Sequence, residues 1–185
     1  MPLNSENMVE YQAREEEAAK ASRIPEDTYI MEITSDSGVG DSNGLPRLRI
    51  SHKIVASKSG NSVGRFHNEF FGWFASETSD SPKPIEERTR NIRNMNKGKL
   101  HDYLKSLEDS PTSDQALGES FDEAIVSLGQ LDDPEEVSEV MDAIASMLKG
   151  QLITATVKYS KDGNYVNLYA NAFDESIGAA DAVAV

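Results

Sequence analysis

The chain of 185 residues contains no cysteine. That excludes disulfides and thiolate metal sites and points to a reducing compartment. It has no apolar run near the roughly 20 residues that a membrane-spanning helix needs. Residues 1–17 lack the basic start and apolar stretch of a secretory signal. The expectation is a cytoplasmic chain with no membrane partner. Histidine occurs only at His52, His67 and His101, never at the four-residue spacing of a helical metal pair. Gly38-Val39-Gly40 lacks the lysine and the strand-to-helix setting of a phosphate loop. Asp132, Asp133, Glu135 and Glu136 stand at a helix start, where acids serve the helix dipole. No nucleophile has a paired base. A binding protein is therefore expected rather than an enzyme, with no catalytic residue, metal site or cofactor.

Basic charge is also scarce, and its distribution matters more than its total of −14. Residues 24–105 hold twelve Lys/Arg against eleven Asp/Glu, whereas residues 106–185 hold three against sixteen. The excess acid is thus concentrated in the second half, and the cations of the first half are free to cluster.

Patterning divides the chain into a flexible acidic segment over 1–23, a domain over 24–172 and a mobile acidic tail over 173–185. Residues 28–34, β-branched and aromatic, read as a strand. Residues 35–44 read as a flexible loop. Residues 45–57 alternate, with Leu48, Ile50 and Ile54 on one side and Arg47, Arg49, Ser51 and Lys53 on the other. A third strand, 62–74, carries large aromatics on both faces: Phe66, Phe70 and Phe74 on one, Phe71 and Trp73 with Arg65, His67 and Glu69 on the other. A helical insert occupies about 84–149. Within it 85–108 has the spacing of an amphipathic helix, and acidic helices are expected over 120–128 and 134–148, the latter with Pro134 in its first turn. Two final strands, 151–160 and 164–172, flank Lys161-Asp162-Gly163, a hairpin signal. The fold class is mainly β with a helical insert. Three strands, helices, then two strands is the order of a five-stranded oligonucleotide/oligosaccharide-binding (OB) barrel, with the helices between strands three and four.

Several stretches carry a resemblance. They are Ile24-Pro25-Glu26-Asp27-Thr28-Tyr29, Leu45-Pro46-Arg47-Leu48-Arg49-Ile50, Gly64-Arg65 with the strand to Phe74, Leu152-Ile153-Thr154-Ala155-Thr156-Val157 and Tyr165-Val166-Asn167-Leu168. Over residues 24–172 the chain resembles phage-encoded single-stranded DNA-binding proteins with an OB fold. The resemblance implies sequence-independent binding of exposed strands during phage DNA replication or recombination, in the cytoplasm of an infected host cell. It also implies an acidic C-terminal tail that contacts replication or recombination proteins. This tail ends Asp181-Ala182-Val183-Ala184-Val185, without the terminal aromatic such tails often carry.

Sequence-tolerant binding needs cations along a groove for phosphates and flat side chains for stacking. The candidate DNA-binding residues are Arg47, Arg49 and Lys53 on the second strand and Arg65, His67, Phe71 and Trp73 on the third. Arg88, Arg90, Arg93 and Lys97 on the first helix would extend the track. Tyr159, Tyr165 and Tyr169 read as packing residues. Two rivals stay open. One is an acidic interaction or DNA-mimic module for a cellular protein, and the other is an oligosaccharide- or peptide-binding barrel. The sequence is compatible with a homo-oligomer.

Overall fold

A computed structural model describes residues 23–78 and 80–179. The N-terminal segment 1–23, apart from Arg23, and the end of the acidic tail, 180–185, lie outside the described residues.

The β-branched and aromatic stretches form one antiparallel sheet of six strands: β1 Asp27–Ile33, β2 Gly38–Ser42, β3 Leu45–Ser57, β4 Phe66–Gly72, β5 Leu152–Tyr159 and β6 Val166–Asn171. Helices α1 Ile85–Glu108, α2 Gln115–Leu128 and α3 Pro134–Leu148 lie between β4 and β5. A short α4, Ser176–Ala179, follows β6. The expected succession of strands, helices and hairpin is present, but there are six strands rather than five. They run in the order β2-β3-β1-β5-β6, with β4 along the opposite edge of β3. Among the described residues no ladder joins β4 to β6, so the sheet is open.

The sixth strand is β2, which lies in the stretch expected to be a flexible loop. Ser42 pairs with Leu45 across a two-residue turn whose Asn43 and Gly44 both have positive φ, 57° and 78°. This Asn-Gly geometry matches the right-handed twist of the flanking strands, and Asp41 Oδ1 accepts from the Gly44 amide at 2.9 Å.

Helix α1 occupies the seam between the two ends of the sheet, and side chains of the helix and of the turn after it bond to the backbone of β5, of the end of β4 and of the stretch after β4. Thr89 Oγ1 accepts from the Ala75 amide (3.1 Å), Arg93 Nε donates to the Trp73 carbonyl (3.1 Å) and Asn96 Nδ2 donates to the Gly72 carbonyl (2.6 Å). At its other end, Ser106 Oγ accepts from the Thr154 amide (2.8 Å) and Ser110 Oγ donates to the Leu152 carbonyl (2.7 Å). Thr112 Oγ1 accepts from the Leu152 amide (2.8 Å). Edge amides and carbonyls left unpaired would be costly and prone to pairing with other chains. Here helix and turn side chains satisfy them.

The inner face of the sheet supplies Met31, Ile33, Leu48, Ile50, Ile54, Phe71, Ile153, Val157 and Leu168 to the core. The helices close it with Leu100, Tyr103, Leu107, Phe121, Ile125, Val137, Met141, Ile144 and Leu148, all buried. Asp133 caps α3 by accepting from the Glu135 and Glu136 amides, so the acids at this helix start do stabilise its exposed N–H groups. The tail segment begins with Phe173 and the buried Ile177 of α4 packed with Ile30, Ala56, Val55 and Leu152 in a small second cluster.

Candidate nucleic-acid interface

In an antiparallel pair, residues directly opposite each other point to the same face. The register of β3 with β4 sets Arg49 opposite Phe70, Ser51 opposite Asn68 and Lys53 opposite Phe66. It also sets Leu48 opposite Phe71, Ile50 opposite Glu69 and His52 opposite His67. The first group lies on the outward side, where all but Ser51 are exposed, and the second is the core side.

The three strand cations, Arg47, Arg49 and Lys53, are thus brought together on an exposed outer face. The aromatics beside them are not the expected ones. Phe71 and Trp73 are 0% and 1% exposed, so neither presents a ring face to a base. Phe66 and Phe70, which sequence reasoning placed on the other face, are 57% and 45% exposed. The Arg47 guanidinium lies 4.4 Å from the centre of the Phe70 ring, within cation–π range. Arg49 Nη2 donates to the Asp36 carbonyl, which fixes its direction. Strand β2 forms the opposite wall. The result is a groove of about 390 Å³ lined by Gly38, Val39, Gly40, Asp41, Ser42, Arg47, Arg49 and Phe70.

The misassigned face has a physical cause. His67 and Glu69 looked like solvent-facing polar residues, which drew Phe71 and Trp73 to the solvent side with them. Both in fact point inward and join a buried polar network. His52 Nδ1 lies 3.2 Å from the His67 carbonyl oxygen, and His52 Nε2 lies 2.7 Å from Tyr103 Oη. Tyr103 Oη lies 3.0 Å from Glu69 Oε2, and Lys99 Nζ donates to Glu69 Oε1 at 2.6 Å. Burial pushes the His52 imidazole down to about 3, with the nearby His67 adding to the shift. His67 is lowered by burial and then by Lys99, so its role here is internal rather than as a DNA-facing cation. Burial raises the Glu69 carboxyl, partly offset by Lys99 and the Tyr103 hydroxyl, and raises the Tyr103 phenol well above its usual range.

The remaining expected residues divide. Arg65 donates to the Arg23 carbonyl at 3.0 Å and is half-buried. Arg88 donates to the carbonyls of Ser76 (2.9 Å) and Lys83 (3.2 Å). Arg93 is held by the Trp73 carbonyl, by Asp132 at 2.6 Å and over the Phe74 ring at 5.0 Å. Arg88 and Arg93 therefore brace the β4–α1 connection. Arg90 and Lys97 instead line a second, larger cleft of about 880 Å³ between α1, the β2–β3 turn and the stretch after β4. Tyr165 and Tyr169, expected to pack, are exposed, while the Tyr159 hydroxyl donates to the Ile24 carbonyl at 2.9 Å.

No helix among the described residues is long and apolar enough to cross a membrane. A scan against protein-family models and a search of curated proteins returned no match to this chain.

Proposed function

We propose that this chain binds single-stranded DNA without sequence preference on the outer face of β3 and β4. One observation carries the reading: a row of cations, Arg47, Arg49 and Lys53, lies directly beside two exposed phenylalanines, Phe66 and Phe70, on paired strands. Cations hold phosphates regardless of sequence, and each base stacked on an aromatic contributes about 1–3 kcal/mol. The strand path β4-β3-β1-β5-β6, with helices between β4 and β5, supports an OB-type arrangement. In that arrangement β3 and β4 correspond to the second and third strands, whose face binds oligonucleotides in a partly open barrel. The setting in phage replication or recombination rests on the sequence resemblance alone.

The test is an anisotropy titration of labelled oligo(dT) at several salt concentrations. Binding should weaken with a log–log slope of about −2, from three neutralised phosphates at about 0.7 each. No binding at low salt would sink the proposal.

A second reading has its own support. Glu119, Asp122, Glu123, Asp132, Asp133, Glu135, Glu136, Glu139 and Asp142 on and between α2 and α3 are all exposed. An acidic interaction or DNA-mimic module would use that face and bind a basic protein while ignoring oligo(dT).

A further inference from the structure

We propose that the larger cleft is a nucleotide subsite that receives the end of the strand bound on the β3–β4 face; this rests on the single-stranded DNA reading above. Its base would lie against Leu45 and Phe74, and its phosphate on Arg90 and Lys97.

The cleft begins next to the end of the β3–β4 ladder, which closes at Arg47 opposite Gly72. Along β3 the outward positions run Lys53, Ser51, Arg49, Arg47, and the next is Leu45. Along the partner chain segment Phe66 and Phe70 are followed four residues later by Phe74. Arg47 and Phe70 line the small groove, whereas Leu45 and Phe74 line the cleft. Leu45 is two residues from Arg47 and Phe74 two from Gly72, so a strand leaving that end of the face meets the cleft.

The cleft's chemistry fits one nucleotide. Leu45, Phe74 and Ile85 are partly exposed and supply apolar contact. On α1, Arg90, Asn94 and Lys97 follow one another at helical spacing and all line the cleft. None of the three side chains has a hydrogen bond or ion pair with another described residue, in contrast to Arg93, which is held on three sides. Two cations and an amide without partners, on one helix face, suit a phosphate and a sugar. Glu77 and Glu86 also line the cleft without a cation of their own. Carboxylates accept from the N–H edge of a base and repel further phosphates, which favours a strand end over a polyphosphate. The indole Nε1 of Trp73, in the cleft wall, is buried with no hydrogen-bond partner among the described residues.

Trp73 is the only tryptophan of the chain, so its emission reports cleft occupancy. The experiment uses labelled oligo(dT) of roughly 4 and 12 nucleotides, within the range of about 4–16 bound per OB fold. Anisotropy gives total binding and Trp73 emission gives occupancy. The longer strand should bind about tenfold tighter, the effect of roughly one extra stacked base, and should change Trp73 emission. Arg90→Ala with Lys97→Gln should remove that gain and the emission change, and lower the salt slope by about 0.7 for the one lost phosphate contact. It should leave the short strand's affinity unchanged within about twofold. Arg90→Ala alone, at an exposed position, gives a smaller loss in the same direction and covers the case in which Lys97→Gln, whose ammonium lies beside Gly129 just after α2, disturbs that helix end. Unchanged Trp73 emission at saturation, or a double variant that binds the long strand like wild type, overturns the cleft proposal while leaving the sheet-face reading intact. Failure of wild type to bind either strand overturns both.

Discussion

The two faces of the β3–β4 pair hold similar residue types and treat them in opposite ways. Outside, Arg47, Arg49 and Lys53 stand beside Phe66 and Phe70, and the rings and charges stay accessible. Inside, Lys99 reaches Glu69, His52 and His67 lie ring to ring at 6.2 Å, and Phe71 meets Tyr103 edge-on at 6.0 Å. A cation beside an aromatic is therefore no marker of a binding surface. What separates the faces is whether each polar atom already has a protein partner. Inside, His52, Glu69, Lys99 and Tyr103 are matched to one another, whereas the outer cations keep most of their donors for a ligand.

The comparison breaks first on its inner side. Phe71→Ala should cost about 3–5 kcal/mol, the range for a buried aromatic truncated to alanine, measured by denaturant unfolding. Phe70→Ala, one residue away, should leave stability within about 0.5 kcal/mol. It should instead weaken oligo(dT) binding by about 1–3 kcal/mol, the worth of one stacked base. If Phe70→Ala unfolds the chain, or Phe71→Ala leaves it stable, the assignment of faces is wrong.

The buried network makes stability depend on pH in two opposed ways. His52 has a folded pKa depressed from 6.5 to about 3. Its contribution is therefore present above about 6.5 and is lost as pH falls toward 3. Glu69 is raised above its usual 4.5, so its contribution is present below that value and lost as pH rises through the folded pKa. Glu69→Gln should abolish the alkaline-side loss while keeping the acid-side one, seen as a change of slope in Tm against pH. His52→Gln should do the reverse. A wild-type slope in both variants would show that the network does not titrate. The smallest effect belongs to the outer face: Arg49→Ala should lower the salt slope of binding by about 0.7, one phosphate contact on a single strand, with unfolding unchanged.

Much of this arrangement was legible in the sequence. The alternation of residues 45–57 placed Arg47, Arg49 and Lys53 correctly on the outer side. Asp162-Gly163 marked the last hairpin, with Gly163 at φ 70°, and Pro134 marked the start of α3. Strand β2 was signalled by Asn43-Gly44, but its short glycine-rich stretch holds a single β-branched residue, Val39, to flag a strand. The face of β4 was not legible, because aromatics at 66, 70, 71 and 73 satisfy either alternation and only the pairing partners decide. Nor could spacing on α1 separate Arg90 and Lys97 from Arg88 and Arg93. The latter two are fixed by carbonyls of Ser76, Lys83 and Trp73, which precede the helix.

Helix α1 has a consequence for how the sheet can be watched. The amides of Leu152 and Thr154 are protected by hydroxyls of Thr112 and Ser106, not by a neighbouring strand's carbonyls. Their exchange with solvent deuterium is therefore a clock for the docking of one helix end and the turn after it. A local opening there would expose these two amides while the β1–β5 ladder stayed closed. Two backbone protons can thus tell whether the seam is shut, independently of whether the rest of the sheet is folded.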